Sequence, residues 1–203
     1  MSSHDGDPAD GEDPFARFKA SFERASAAES FDASRAALAT VSAAGQPSVR
    51  FVLVKLVDER GFVFFTNFTS SKGRELAANP RAALAFHWAA IGEQVRVEGS
   101  VVRVDEAESD AYFATRPRGS QLGAWASAQS APIDSRAQLE QSLARVTERF
   151  ASQAHVPRPP HWGGYRIVPS SIEFWCDQPN RMHDRIVFTR DTSSSWLRAR
   201  LQP

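Results

Sequence analysis

Short runs of β-branched and aromatic residues recur along most of the chain, a pattern typical of β-strands. Between 47 and 69, two such runs flank Asp58-Glu59-Arg60-Gly61, which predicts a hairpin. Further strands are predicted at 36–42, 82–88, 93–104, 165–167, 172–176, 185–189 and 196–201. Strands with helices inserted between runs of them favour a mainly β fold, a closed or split antiparallel β-barrel, over a parallel doubly wound sheet.

Helical spacing of apolar residues marks four other segments. Phe15, Phe18 and Phe22 predict an amphipathic helix that ends near Ala28. Further helices are predicted from 69 or 70 to 79, from the cap Asp105 to about 116, and after the cap Asp134 or Ser135, with the apolar stripe Leu139, Leu143, Val146 and Phe150. The polar stretch 120–130 offers little material for a core, and 156–160 is predicted to be an extended link.

Length and composition narrow the class of protein. The 203 residues suit one domain, predicted at 14–203, after a small, polar and acidic segment 1–13 that is predicted to be disordered. The formal net charge of +0 argues against a nucleic-acid partner, and no apolar run approaches the ~20 residues of a membrane span. The first residues lack a secretory pattern, and the lone Cys176 permits no internal disulfide. We therefore expect a cytoplasmic location.

Charged residues inside the first run of the hairpin are unusual. Arg50 and Lys55 interrupt a strand that should be at least half-buried, where cations need anionic partners. Their odd spacing places them on opposite faces, so one strand can serve two separate anions. The next helix presents free N–H groups at its start, and Lys72 and Arg74 lie in its first turn, where a cation is unfavourable unless an anion is bound.

A second cluster combines hydroxyl groups with a guanidinium. Tyr112 and Arg116 share a helix face and Ser120 follows, a set that suits a phosphate monoester; the alternative is an ordinary helix end with Arg116 in solvent. A metal site is not predicted, because the histidines are scattered and there is one cysteine. The chain also lacks a Gly-x-Gly-x-x-Gly dinucleotide motif and a Gly-x-Ser-x-Gly hydrolase motif.

A third cluster lies near the C-terminus. If the segment is extended, Arg181, His183 and Arg185 share one face and form a dense cationic row. His183 can then act as a donor or a proton-transfer group near neutral pH. The alternative is an exposed polar loop.

Ordered motifs run through nearly the whole chain, from about Asp13 to Arg200-Leu-Gln-Pro203. They are Arg50-Phe-Val-Leu-Val-Lys55, Phe65-Thr-Asn, Ser70-Ser-Lys72, Arg116-Pro-Arg-Gly-Ser120-Gln, Gly123-Ala-Trp125, Gln129-Ser130, Trp162-Gly-Gly, Ile172-Glu-Phe-Trp175 and Arg181-Met-His-Asp-Arg185. No single motif is specific, but their number and order are. On these residues the chain resembles the pyridoxine/pyridoxamine 5′-phosphate oxidase family, flavoenzymes of vitamin B6 metabolism.

The resemblance implies a homodimer of split β-barrels with FMN in two clefts between the subunits. It assigns FMN binding to Arg50, Phe51, Val52, Leu53, Val54, Lys55, Phe65, Thr66, Ser71, Lys72, Gln94, Gln129, Ser130, Trp175 and Arg185, several of them from the other subunit. It assigns the B6 substrate to Lys55, Tyr112, Arg116, Ser120, Arg181 and His183, the last two around the pyridine ring as the catalytic pair. The implied reaction removes a hydride from C4′ of pyridoxine or pyridoxamine 5′-phosphate. It yields pyridoxal 5′-phosphate, with O₂ reduced to hydrogen peroxide and ammonia released from the amine.

The chain departs from the family pattern at three places. Ser71 stands where an Arg is usual beside Lys72, which removes a charge-assisted hydrogen bond of ~1.5–3 kcal/mol and predicts weaker FMN retention. Phe65 stands where a Tyr is common, and the segment before Asp13 lacks the Arg-rich, Tyr-containing sequence of some members.

Three other functions remain as alternatives. One is an FMN oxidase of the same fold acting on another substrate, similar to the phenazine-pathway oxidases, which share the C-terminal Arg-Leu-Gln-Pro. Another is a non-catalytic flavin-binding or sensor protein. Both are disfavoured because the six substrate positions are all present. A nucleic-acid-binding barrel is disfavoured by the zero net charge.

Overall fold

The computed structural model describes residues 12–203, which form eight β-strands, five α-helices and two 3₁₀ turns. The strands are β1 Arg35–Val41, β2 Pro47–Asp58, β3 Gly61–Asn67, β4 Arg81–Trp88, β5 Glu93–Arg103, β6 Trp162–Cys176, β7 Asp184–Arg190 and β8 Trp196–Leu201. The helices are α1 Pro14–Ala28, α2 Ser71–Ala78, α3 Glu106–Thr115, α4 Arg118–Ala126 and α5 Arg136–Arg149, with 3₁₀ turns at Ala89–Ile91 and Pro179–Arg181. No helix in this part of the chain is long and apolar enough to cross a membrane.

All the strands join one antiparallel sheet in the order β3-β2-β1-β4-β5-β6-β7-β8. Because β3 also pairs with β6, the first six strands close into a barrel and β7 and β8 extend from its wall. The split antiparallel barrel predicted from the sequence is thus confirmed. Aliphatic and aromatic side chains form the core, in which Phe18 of α1 packs edge-on to Phe62 (ring centroids 5.0 Å) and Phe86 (5.1 Å).

Helix starts follow the capping residues read from the sequence. Ser70 caps α2 by accepting from the backbone N–H of Gly73, Asp105 caps α3, and Ser135 caps α5. Of the predicted disordered segment 1–13, residues 1–11 lie outside the described part. The carboxylate of Asp13 is described, and it accepts from two backbone N–H groups at the start of α1.

Two sequence predictions about elements are wrong. The stretch left without an element contains α4, whose Leu122 is buried in a second apolar cluster with Phe113, Phe150, Val156 and Trp162. The two strands predicted at 165–167 and 172–176 are one continuous strand, β6. Pro169 is tolerated inside it because β6 carries a bulge there: Glu98 pairs with Ser171 and Gly99 with Pro169, which leaves Ser170 as the extra residue.

The predicted apolar stripe of α5 is only partly buried. Phe150, at the C-cap of the helix, is 2% exposed, whereas Leu143 is 41% exposed. Val146 packs at the edge of the second cluster. The C-terminal end of α5 is therefore fixed to the second cluster mainly through Phe150.

Candidate active site

A cleft of about 490 Å³ opens between the β2–β3 hairpin and the α3–α4 segment. It is lined by Phe51, Val52, Leu53, Lys55, Phe65, Thr66, Asn67, Lys72, Tyr112, Arg116, Ser120, Gly123, Ala124, Ser127, Gln129 and Trp162. Residues of the first and second clusters therefore meet in one cavity, although Tyr112 follows Lys72 by 40 residues in the chain. The barrel closure brings them together, because β3 pairs with the start of β6 at Asn67 and Trp162.

Lys72 supplies a buried positive charge at one part of this cleft. Its side chain follows the cap of α2, and the residue is 8% exposed. The ammonium donates to Oγ1 of Thr66 (3.2 Å), Oε1 of Gln129 (3.2 Å) and Oγ of Ser70 (3.4 Å), all neutral acceptors. Burial, reinforced by the charge of Arg50, lowers the pKa of Lys72. Among the described residues no carboxylate lies within salt-bridge distance, so this site favours an external anion.

Arg116, the C-cap residue of α3, supplies a second positive charge, and this one is half-buried. Its Nη1 is buried and has no hydrogen-bond partner in the described part of the chain. The guanidinium lies over the ring of Trp162 at 4.7 Å from the centroid, and burial lowers its pKa. An unpaired buried guanidinium N–H is costly, and a bidentate phosphate or carboxylate would satisfy it.

Tyr112 lies one helical turn before Arg116 and is held by stacking. Its ring stacks on Phe65 with centroids 3.9 Å apart, and Phe65 stacks in turn on Trp162 at 5.5 Å. Burial raises the pKa of the Tyr112 hydroxyl, which therefore stays protonated as a donor at neutral pH. The predicted pair Tyr112 and Arg116 thus shares the cleft with Ser120, and Arg116 is not in solvent.

The two cations of β2 differ from Lys72 and Arg116 because each already has a carboxylate. Arg50 donates to Glu75 of α2 (3.0 Å) and also to Ser48 and Thr40. Burial acts to raise the pKa of Glu75, but the hydrogen bonds that its carboxylate accepts from Thr40, Ser48 and Arg50 outweigh burial and lower the pKa.

Lys55 Nζ faces the other side of the strand and lies 3.4 Å from Oδ2 of Asp32. The opposite faces predicted for Arg50 and Lys55 are therefore observed. The carboxylates that pair with them were not foreseen from the sequence.

Some predicted cofactor residues lie beside the cleft without lining it. Arg50 and Val54 point to the inner face of β2, where Val54 joins the barrel core. Ser71 is placed at the start of α2, with its hydroxyl 3.4 Å from Arg74. Ser130 follows the lining residue Gln129 and adopts φ 70°. Their assignment to FMN stays a prediction.

The remaining predicted residues form a separate group on β5, β6 and β7. Gln94 pairs in register with Trp175, which pairs with Arg185 on the next strand. The ring of His183 lies 4.4 Å from that of Trp175, and Arg185 donates to Glu173 at 2.8 Å. None of these residues lines the cleft of the same chain.

The predicted extended row of Arg181, His183 and Arg185 is wrong. Residues Pro179–Arg181 form a 3₁₀ turn in which Asn180 and Arg181 have positive φ, and β7 begins only at Asp184. Arg181 is consequently exposed at the turn, while His183 Nδ1 lies 3.0 Å from Asp177. Alternate residues share a face only on an extended backbone, so the turn removes the basis for the predicted row.

The cleft also contains residues that the sequence did not single out as ligands. Trp162, Asn67, Ser127, Gly123 and Ala124 all line it. The Trp162-Gly-Gly motif was a possible signal, since both glycines lack the space for a Cβ: at Gly163 it would lie 2.6 Å from Phe68, and at Gly164 2.8 Å from Val104.

A split barrel whose cleft presents two cations, Lys72 and Arg116, without a carboxylate partner among the described residues has a site chemically suited to phosphorylated or other dianionic ligands. Comparison with known proteins gives the family. Residues 24–150 match the model described as pyridoxamine 5′-phosphate oxidase, and residues 162–203 match the pyridoxine 5′-phosphate oxidase C-terminal dimerisation region. The chain belongs to the pyridoxine/pyridoxamine 5′-phosphate oxidase family.

Curated relatives and a solved structure agree with this assignment. A pyridoxine/pyridoxamine 5′-phosphate oxidase of Burkholderia lata is 56% identical over 94% of this chain and 89% of its own length. One from Anaeromyxobacter dehalogenans is 55% identical over 97% and 98%. A crystal structure of PhzG from Burkholderia lata in complex with tetrahydrophenazine-1-carboxylic acid superposes with a TM-score of 0.89 at 32% identity, covering 97% of this chain and 95% of that one. These relatives support an oxidoreductase.

Proposed function

We propose that this protein oxidises pyridoxine 5′-phosphate and pyridoxamine 5′-phosphate to pyridoxal 5′-phosphate, with FMN as cofactor and O₂ as acceptor. The alcohol and O₂ give the aldehyde and hydrogen peroxide; the amine, O₂ and water give the aldehyde, hydrogen peroxide and ammonia. One observation carries the proposal: a single cleft holds two cations, the buried Lys72 and the half-buried Arg116, and neither has a carboxylate partner among the described residues. Two phosphates, one from the cofactor and one from the substrate, match two such positions.

Lys72 is the residue best suited to the FMN phosphate. Thr66 and Gln129 surround its ammonium, and the free N–H groups at the start of α2 are adjacent. The exposed face of β2, with Phe51 and Leu53, supplies an apolar wall for the flavin ring. Bound FMN would supply two-electron redox chemistry, accepting electrons from the substrate and passing them to O₂.

Arg116 is the residue best suited to the substrate phosphate. Its unpartnered Nη1 and the hydroxyls of Tyr112 and Ser120 face the same cavity. Lys55 lines that cavity too, but Asp32 already neutralises part of its charge. We therefore assign most of the affinity for the substrate phosphate to Arg116 and a smaller share to Lys55.

We further propose that the working site is shared by two copies of the chain. Gln94, Trp175, Arg185, Arg181 and His183 lie together around β5–β7 and outside the cleft of their own chain. Most of this group falls within residues 162–203, which match the family's dimerisation region. In a homodimer this surface would complete the partner's cleft, with Arg181 and His183 beside the substrate ring.

A second candidate is oxidation of a phenazine precursor, which the similarity to PhzG favours. That similarity is 32% in identity, against 55–56% for the relatives named after the B6 phosphates. A phenazine carboxylic acid carries no phosphate, so it would leave one of the two cationic positions without the dianion that suits it. The B6 phosphates are therefore the better match.

The test begins with the purified protein. We expect a bound flavin that is released on denaturation, and pyridoxal 5′-phosphate and hydrogen peroxide on addition of either B6 phosphate under air. Pyridoxine without its phosphate should react far less efficiently. Absence of flavin, even after addition of FMN, would refute the cofactor assignment. Flavin without turnover of the B6 phosphates, combined with turnover of a dihydrophenazine acid, would replace the proposed substrate by the second candidate.

A further inference from the structure

Arg166 holds two carboxylates on the side of the barrel where the hairpin ends. Its side chain is 7% exposed and donates to Oδ1 of Asp58 at 2.6 Å and to Oε1 of Glu108 at 2.8 Å. Its backbone is fixed from both sides, since β6 pairs it with Val63 of β3 and Val102 of β5. The guanidinium is therefore attached to a strand that is paired on both sides, and it bridges two other elements.

Those two elements carry the proposed substrate-phosphate residues. Asp58 ends β2, three residues after Lys55. Glu108 lies in the first turn of α3, Tyr112 follows four residues later on the same helix face, and Arg116 is the C-cap residue of the helix. The face that touches Arg166 at the start of α3 is thus the face that enters the cleft at its end.

We propose that Arg166 is a positioning residue that sets the spacing between Lys55 and the pair Tyr112 and Arg116. This inference rests on the proposed function and adds a residue that touches neither ligand. Strands β2 and β3 are held together by backbone hydrogen bonds, but β2 and the helix α3 are not. We therefore infer that the shared Arg166 guanidinium fixes the separation of β2 and α3, and we call this bridge the strut.

Loss of Arg166 should separate the two elements without unfolding them. Its removal would leave Asp58 and Glu108 with only the exposed Arg60 between them, so the repulsion between the two carboxylates would be less well compensated. Helix α3 would stay attached, because Phe113 is buried in the second cluster and Ser109 accepts from the backbone N–H of Gly164. The start of α3 would move, and the displacement would reach Arg116 through the rigid helix.

Arg60 provides a matched control for this idea. It pairs with the same two carboxylates, at 2.6 Å to Asp58 and 3.8 Å to Glu108, but its side chain is 58% exposed. Solvent-exposed pairs contribute little and their side chains adapt. The charge removed is the same in Arg60→Met and Arg166→Met, so a difference between the variants reports the buried bridge and not the net charge.

The experiment compares Arg166→Met, Arg166→Lys and Arg60→Met in FMN-loaded protein. For pyridoxine 5′-phosphate we expect KM to rise about 10- to 100-fold in Arg166→Met, since a displacement of ~1 Å can cost ~10²-fold. Its kcat should fall less than KM rises, and FMN affinity should stay unchanged. Arg166→Lys should recover part of the loss and Arg60→Met should change KM by less than about twofold. Equal effects of Arg60→Met and Arg166→Met, or a kcat loss with unchanged KM, would overturn the proposal.

Amide hydrogen exchange gives a readout that does not depend on turnover. Residues 106–116 should exchange faster in Arg166→Met than in wild type, and at the wild-type rate in Arg60→Met. If the wild type oxidises neither B6 phosphate, the proposed function fails, and exchange over 106–116 alone decides this inference. If Arg166→Met does not fold, Glu108→Gln replaces it, because it weakens the α3 end of the bridge and leaves the pair with Asp58. Unchanged exchange in that variant would refute the strut.

Discussion

Replacing Lys72 by Met removes a buried charge while keeping much of the side-chain volume. In the FMN-free protein the ammonium contacts three neutral oxygens, of Thr66, Gln129 and Ser70, and no described carboxylate. The variant should therefore have two opposite effects. It should weaken FMN binding, and it should not weaken the fold of the FMN-free protein.

The magnitude follows from the same contacts. A hydrogen bond from a charged donor contributes ~1.5–3 kcal/mol, so loss of the one to the FMN phosphate predicts roughly 10- to 150-fold weaker binding. In the FMN-free state, Met removes the cost of burying an unpaired charge but also three hydrogen bonds to neutral acceptors. Because Thr66 can still donate to Gln129 at 3.0 Å, we expect the free energy of unfolding to rise by ~1 kcal/mol.

The assay measures both quantities on the same preparations. FMN is removed, rebinding is followed by quenching of flavin fluorescence, and unfolding of the FMN-free protein is followed in urea. Arg74→Met is the control, since Arg74 lies on the same helix but is exposed; its FMN affinity should change by less than about twofold. Unchanged FMN affinity in Lys72→Met would refute the phosphate assignment. A loss of unfolding free energy would show that Lys72 is stabilised by its neutral neighbours, contrary to the reasoning above.

Three further predictions concern the same cleft. Ser71→Arg should tighten FMN binding by roughly 10-fold, because it adds a cation at the start of α2; an unchanged dissociation constant would contradict this. Arg116→Met should raise KM for pyridoxine 5′-phosphate at least about 10-fold with FMN affinity unchanged, while the exposed Arg118→Met should do neither, as steady-state kinetics of the two variants will show. Finally, the lowered pKa of Lys72 means that the unfolded chain binds more protons than the FMN-free protein between the folded and unfolded pKa. Through that alkaline window the stability of the FMN-free protein should therefore rise with pH while FMN affinity falls, and Lys72→Met should abolish both trends in urea and fluorescence titrations.

Most of the fold could be predicted because local signals agreed with the tertiary structure. Ser70, Asp105 and Ser135 begin their helices as predicted, since a cap satisfies backbone donors within its own turn. Helix α4 was missed because its burial depends on a distant partner: Leu122 packs against Phe113 and Trp162. The pattern of apolar residues within the nine residues of α4 does not indicate that contact. A residue pattern along the chain does not show which side chains are buried by residues distant in the sequence.

The candidate site could be predicted in part for the same reason. Residue types at Lys72, Tyr112 and Arg116 indicated anion binding, and the barrel closure brings them into one cleft. The expected extended row around His183 failed because Asn180 and Arg181 take positive φ, which places a turn before β7. Asn is a residue type that favours a positive φ, but Arg is not, so Arg181 does not indicate this turn in the sequence.

We expect the presence or absence of a carboxylate partner, and not the number of cations, to decide which residues in and beside this cleft bind an external phosphate. Arg50 and Lys55 drew attention as charges in a strand, yet Glu75 and Asp32 already hold them. A phosphate that binds either one must compete with a tethered carboxylate, so part of its interaction energy goes into displacing that pair. At Lys72 and Arg116 a phosphate has no carboxylate to displace. Burial lowers the pKa of both side chains in the ligand-free protein. The two unpaired cations should therefore set affinity, while the two paired cations adjust the position of a ligand that is already held.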